Sequence, residues 1–294
     1  MTYFSPDFSV EERVGQLLRH LGISKAHFAA RGAQDWTGLA ETFPEFISSL
    51  TLVCPLGFDP AVLALVASRL LVFSGDSGGD AETVGRTISS IKDIKTITLS
   101  GYPSPNTYAD VAADRPEDIA SGLVDFLDQM GRLHQTPSVE LAEGEGEIGG
   151  ISYQIRGAGP PLVLFPLGAA PSQWEPVIPK LTGSYCVVTL GGAELGMVGS
   201  LEDRGRTSGY LGGLRSLLEE AQLQPGESVL EVGCGTGVLD RWMARRTEGR
   251  NKIVGVDVNP YFLKEAAALV VKDGMEGLVE FKEGSGEALP FPNA

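Results

Sequence analysis

Apolar positions in this chain recur on two periods, and the switches between them outline α/β units. Residues 11–21 carry Val14, Leu17, Leu18 and Leu21 on one helical face, which predicts a helix over Glu11–Leu21. The apolar stretch from Leu50 to Phe73 is interrupted by Pro55, Asp59, Pro60 and Arg69, so it reads as strand, loop, helix and strand, not as a membrane span. Residues 131–146 lose the periodicity; they are polar, rich in glycine and acid, and read as a solvated linker. Beyond it, Gly209–Ala221 returns to helical spacing. The last third then alternates short apolar runs with amphipathic ones. Strands are expected at Ser228–Val232, Lys252–Asp257 and Val279–Glu283, with helices at Val238–Arg246 and Tyr261–Lys272.

The turn after the first of these strands reads Glu231-Val-Gly233-Cys234-Gly235-Thr236-Gly237, and the second strand ends on Asp257, twenty residues after Gly237. Strand, glycine-rich turn, helix and strand ending in a carboxylate is how a doubly wound sheet builds a nucleotide pocket: glycines let the backbone approach the ligand, and the acid takes two ribose hydroxyls. A dinucleotide site spaces its glycines G-x-G-x-x-G and offers a helix N-terminus to a pyrophosphate. Here the spacing is E-x-G-x-G-x-G, with Glu231 inside the turn and no lysine or arginine to balance phosphate charge. That composition suits a cationic ligand.

These residues resemble the first motif of class I S-adenosylmethionine-dependent methyltransferases. Residues 284–292, Gly-Ser285-Gly286-Glu-Ala-Leu-Pro-Phe-Pro, look like the segment after the third strand of the quinone-biosynthesis (type 11) branch, with Ser285 where that branch has an acid for the adenine amino group. The resemblance implies S-adenosyl-L-methionine as cofactor, with Glu231, Gly233, Cys234, Gly235, Thr236, Gly237, Asp257, Val258, Ser285 and Gly286 around it. Glu231 would orient the loop and the cofactor's ammonium, Asp257 the ribose, and Val258 the adenine face, with Ser285 and Gly286 at its edge. Such a fold needs about seven strands, and three are expected here. The chain is therefore expected to hold the front half of the domain, as a truncated product or a fragment, and no catalytic residue is assigned.

Composition narrows the acceptor. A net charge of −15 disfavours nucleic acid and anionic membrane as partners, which leaves a small-molecule methyl acceptor. Cys54, Cys186 and Cys234 follow no metal or disulfide spacing, and the N-terminus has no signal-peptide pattern, so a cytoplasmic protein without a metal site is expected. The oligomeric state is left open.

A second resemblance covers the first two hundred residues. The order helix, Leu21-Gly-Ile, strand, turn, helix, Pro44-Glu and strand looks like an α/β-hydrolase around its nucleophile elbow, with Gly32 in place of the serine. Leu70–Asp76 resembles the strand and loop that supply the acid. Thr96–Leu99 resembles the strand before the catalytic histidine, but Gly101 is followed by Tyr-Pro-Ser-Pro-Asn-Thr-Tyr with no histidine. The segment from Arg115 resembles the closing helix. Of the three histidines, His20 and His27, in the helix–strand turn, read as surface or packing residues, and His134 as part of the polar linker. Residues 151–166 look like the opening hairpin and third strand, with Pro166 and Leu167 where an oxyanion-hole His-Gly would stand, and proline has no N–H to donate. Gln173–Leu181 resembles the first helix, and Tyr185–Leu190 the next strand.

The expected organisation is a degenerate hydrolase-like C-terminal half (1–130), a linker (131–146), a hydrolase-like N-terminal half (147–205) and the front of a methyltransferase domain (206–294). The fold class is α/β, with a partial Rossmann-like sheet at the C-terminus. The inverted order of the hydrolase-like halves is compatible with a circular permutation into one domain, with an unrelated arrangement, or with a chain cut from a longer protein. Two functions follow: methyl transfer to a small molecule, or a non-catalytic scaffold on a dead hydrolase fold with a vestigial cofactor site.

Overall fold

Helix α1 (Val10–His20) is started by a reciprocal cap: the Glu12 N–H donates to Ser9 Oγ at 3.3 Å and the Ser9 N–H to the Glu12 carboxylate at 3.0 Å. Its apolar stripe, Val14, Leu17 and Leu18, is fully buried, as the spacing predicts. The computed structural model describes residues 8–31, 37–57, 59–103, 110–192 and 194–292. The chain forms two units, Met1–Gly196 and Met197–Ala294. The division falls ahead of the boundary expected near residue 205.

In the first unit α1 is followed by β1 (Ala26–Ala30), α2 (Thr37–Thr42), β2 (Ile47–Val53), α3 (Pro60–Val66), β3 (Leu70–Ser77), α4 (Gly79–Ser89), β4 (Lys95–Pro103), α5 (Val111–Asp114), α6 (Pro116–His134), β5 (Gly144–Ile148), β6 (Ile151–Arg156), β7 (Pro161–Leu164), α7 (Ile178–Leu181) and β8 (Cys186–Gly192). All eight strands join one sheet, in the order β4-β3-β2-β1-β7-β8-β6-β5. Pairing is parallel from β4 through β8 and antiparallel for β8–β6 and β6–β5. Segments 26–103 and 144–192 therefore build a single mixed sheet, with β7 hydrogen-bonded directly beside β1. Strand alternation sends Phe28, Leu50, Leu52, Val72, Val163 and Val188 to one face and Ala29, Val53, Leu71, Phe73, Leu164 and Val187 to the other, and each face has its own core.

Two segments differ from the expectation. The stretch at 131–146 is tied at several points: α6 continues through His134, the buried Thr136 and Ser48 hydroxyls are 2.7 Å apart, Val139 bridges Gly159, and β5 starts at Gly144. Polar composition concealed these ties because most are made by backbone or hydroxyl groups. Residues 173–181 are not one helix. A 3₁₀ turn at Pro171–Trp174 is separated from the short α7, because Pro176 and Pro179 each remove a backbone donor. Trp174 is nonetheless fully buried, and its indole N–H donates to the Phe165 carbonyl at 2.7 Å.

The second unit comprises α8 (Met197–Arg204), α9 (Ser208–Ala221), β9 (Ser228–Val232), α10 (Val238–Arg246), β10 (Lys252–Asp257), α11 (Pro260–Lys272) and β11 (Val279–Glu283). The three strands form a parallel sheet, β11-β10-β9, in which Gly255 lies opposite Glu231 and Asp257 opposite Glu283. Every predicted strand of this unit has the expected bounds. Helix α11 starts one residue early because Asn259 caps it: its side-chain oxygen accepts from the Tyr261 and Phe262 N–H groups, with Pro260 at the first helical position. Among the described residues β9 is an edge strand, and Leu230 and Val232 on it are exposed.

Candidate functional site

The turn after β9 is shaped by three glycines in the left-handed region, Gly233 (φ +79°), Gly235 (φ +55°) and Gly237 (φ +71°). Only glycine takes these angles at little cost. The turn is anchored to β10: the Gly233 and Cys234 N–H groups both donate to the Val256 carbonyl, at 2.7 and 3.1 Å. A Cβ on Gly237 would collide with the Phe281 ring, whereas one on Gly233 would meet nothing within 4 Å. Gly233 thus borders open space and Gly237 supports the core.

Asp257, 9% exposed at the end of β10, holds the loop with both carboxylate oxygens: Oδ2 accepts from the Gly235 N–H at 2.8 Å and Oδ1 from the Asn259 N–H at 2.9 Å. Its own carbonyl accepts from the Gly284 N–H at 3.0 Å, which brings the 284–290 turn to the same strand end. Ser285 Oγ accepts from the Ala288 N–H at 3.1 Å, and a Cβ on Gly286 would lie 3.4 Å from Val232. Val258 follows Asp257 and is 60% exposed.

Glu231, on β9, is partly exposed, but its Oε2 is buried without a hydrogen-bond donor. Burial raises its carboxyl pKa, and Asp240 and Asp257 raise it further. The structure thus groups Glu231, Gly233, Gly235, Asp257 and Val258 around the carboxyl ends of β9 and β10. Cys234 and Thr236 are buried, and the Thr236 hydroxyl is already used, donating to Glu202 at 2.5 Å. These two can offer a ligand only their backbone.

Glu202 carries no local signature in the sequence. From α8 it receives Thr236 and, on both carboxylate oxygens at 2.6 Å, the buried Arg241 guanidinium; Arg241 also donates to Asp273 at 2.9 Å. Leu201 lies 3.1 Å from where a Gly235 Cβ would stand. Helix α8 is thereby fastened to the glycine turn. The partners are 32 to 39 positions apart, so no local pattern marks them. Only a buried arginine on α10 would have hinted at a distant acid.

In the first unit, the crevice between β1 and β7, where the strand order reverses, is where an open α/β sheet binds ligands. Buried Arg31 occupies it, reaching the Leu167 carbonyl at 3.3 Å and the Cys54 carbonyl at 3.4 Å. Gly32 and residues 104–109 lie outside the described residues. His27 is buried with Nδ1 2.7 Å from Ser49 Oγ, at the opposite end of β1. Burial lowers its pKa to about 4, so it stays neutral at physiological pH. Among the described residues no cluster of His, Cys, Asp or Glu is placed to hold a metal, and no helix is long and apolar enough to cross a membrane.

Residues 229–294 match a methyltransferase-domain family. An erythromycin 3''-O-methyltransferase from Saccharopolyspora erythraea is 38% identical over 76 residues, 26% of this chain and 24% of the relative. A ubiquinone/menaquinone biosynthesis C-methyltransferase, UbiE, from Ectopseudomonas mendocina is 33% identical over 79 residues, 27% of this chain and 31% of the relative. A solved S-adenosylmethionine-dependent methyltransferase from Aquifex aeolicus is 26% identical, with a TM-score of 0.25 over 27% of this chain and 42% of that one. The chain spans about a third or less of the length of these curated relatives. Its C-terminal region resembles class I S-adenosylmethionine-dependent methyltransferases, and the family match begins at Val229.

Proposed function

We propose that the second unit binds S-adenosyl-L-methionine and serves methyl transfer to a small-molecule acceptor. The observation that carries this reading is an open glycine backbone at Gly233 set between two acids, the partly exposed Glu231 on β9 and the strand-end Asp257, which holds the Gly235 N–H. The cofactor supplies an activated methyl group on a sulfonium. Glu231 would take its ammonium, Gly233 and Gly235 would give close backbone approach, and Asp257 would take the ribose hydroxyls on lone pairs left by its two loop contacts. Val258 would cover the adenine face, and Ser285 and Gly286 its edge. The domain's contribution is to hold the methyl in line with the acceptor. Calorimetric titration with S-adenosylhomocysteine tests this: saturable one-to-one binding is expected, and no heat of binding from a folded chain would overturn it.

The first unit is read as a non-catalytic, hydrolase-like scaffold whose halves are permuted into one sheet. Supporting this are the shared sheet, the Arg31 side chain in its ligand crevice and Pro166 at the end of the strand that would supply an oxyanion donor. Hydrolysis of nitrophenyl acetate is expected at the buffer background; saturable turnover would show that another nucleophile replaces the one missing at Gly32.

A further inference from the structure

Asp240 stands in the first turn of α10 with no exposed surface, and neither of its carboxylate oxygens has a hydrogen-bond donor. It faces Glu231, whose inward Oε2 also has none. The fold makes room for this acid: Gly255, paired with Glu231 across the sheet, has no side chain, and a Cβ there would lie 2.8 Å from Asp240 Oδ2. Two buried carboxylates facing each other without a donor cannot both remain ionised, because each is desolvated and repels the other. One proton between them supplies a donor where the two groups meet and removes their mutual repulsion.

The surrounding charges leave that proton in place. Asp257 on β10 adds further negative charge, and the Cys234 thiol in the turn is neutral, its pKa raised by the same burial. Arg204 from α8 acts on Glu231, and Arg241 on Asp240, in the opposite sense. Arg241 is itself committed to Glu202 and Asp273, and the balance raises both members of the pair above the ordinary carboxylate range.

We propose that Glu231 and Asp240 share one proton across a carboxyl–carboxylate hydrogen bond, and that the ammonium of an S-adenosyl ligand arriving at Glu231 expels it. The coupling rests on the cofactor reading above; the shared proton does not. The ammonium's positive charge takes the place of the proton's beside the carboxyl pair, and the proton leaves to solvent. Asp240 is then a positioning residue that makes ligand binding proton-linked.

The test has two arms. Without ligand, urea unfolding is followed across pH. The folded pair retains a proton that the unfolded carboxylates release near their ordinary pKa of ~4. The folded state therefore binds more protons, and its stability falls as pH rises from that range towards the raised folded pKa, by up to about tenfold in the folding constant per pH unit. Asp240→Asn is expected to flatten this component, since its amide donates permanently to Glu231. Glu231→Gln is expected to do the same and serves if the first variant does not fold. With S-adenosylhomocysteine, calorimetry at about pH 7.5 in phosphate and in Tris should show the wild type releasing close to one proton, and affinity should tighten about tenfold per pH unit. Asp240→Asn should release almost none and bind with little pH dependence, while Glu231→Gln should bind weakly. If S-adenosylhomocysteine fails to bind, the functional reading and the coupling fall together, and the first arm alone decides the shared proton. If it binds, with equal proton release and equal pH slopes in wild type and Asp240→Asn, the present inference falls and the functional reading stands.

Discussion

Asp257→Ala is expected to lower S-adenosylhomocysteine affinity by at least about 100-fold and to destabilise the second unit. The carboxylate accepts from the Gly235 and Asn259 N–H groups, and each charge-assisted bond contributes about 1.5–3 kcal/mol, so even one such loss transmitted to the ligand is tenfold or more. The lost ribose contact adds a similar amount. Asp257→Asn separates the two roles. Its single carbonyl oxygen can serve one loop amide, while its NH₂ group must point at the other N–H, a donor facing a donor. An intermediate loss is therefore expected, with the glycine turn loosened but the strand intact. Hydrogen exchange at the Gly235 amide reads the loop, and calorimetry reads the ligand. Unchanged affinity in both variants would remove Asp257 from the pocket.

The parts of this site that lie close together in the chain were legible in the sequence. β9, β10 and β11 have the predicted bounds because each is a short apolar run closed by glycine, asparagine or acid, and the turn between β9 and α10 follows from glycine spacing alone. What was not legible depends on residues brought together from far apart. Glu202 has no local signature, and its role exists only once α8 lies against the turn. Asp240 sits in a polar-looking stretch, Leu-Asp-Arg, and reads as a first-turn acid favoured by the helix dipole. Its burial comes from the facing Gly255, whose significance in a strand shows only in the register. The large sheet repeats the lesson. Strands β1 and β7 could be recognised separately, but their pairing joins residues more than a hundred positions apart, and local periodicity carries no such information. Where prolines break a pattern, as at Pro176 and Pro179, the resemblance to a helix outran the backbone chemistry.

The glycines of the turn differ in what they do, and substituting them one at a time should expose this. Gly233 and Gly237 both have φ near +75°, so alanine at either carries a left-handed strain of about 1–2 kcal/mol. At Gly233 nothing lies within 4 Å of the new Cβ, so strain is the whole cost to stability. At Gly237 the Cβ also runs into the Phe281 ring, with Cε1 at 2.8 Å, and overpacking of this kind adds about 1–3 kcal/mol. Gly237→Ala is therefore expected to destabilise the second unit by about 2–5 kcal/mol, well beyond Gly233→Ala, in urea unfolding followed by hydrogen exchange of the β10 amides. Adding Phe281→Leu should recover part of the Gly237→Ala loss and none of the Gly233→Ala loss, because it relieves the collision and leaves the dihedral strain. Ligand binding should rank the other way per unit of stability lost: Gly233 borders the open side of the turn, so its alanine variant stays folded while its Cβ fills space that the ligand needs. Equal stability losses at the two positions would mean that Phe281 moves aside at no cost. Undiminished S-adenosylhomocysteine binding by Gly233→Ala would mean that the ligand does not approach the turn from this side.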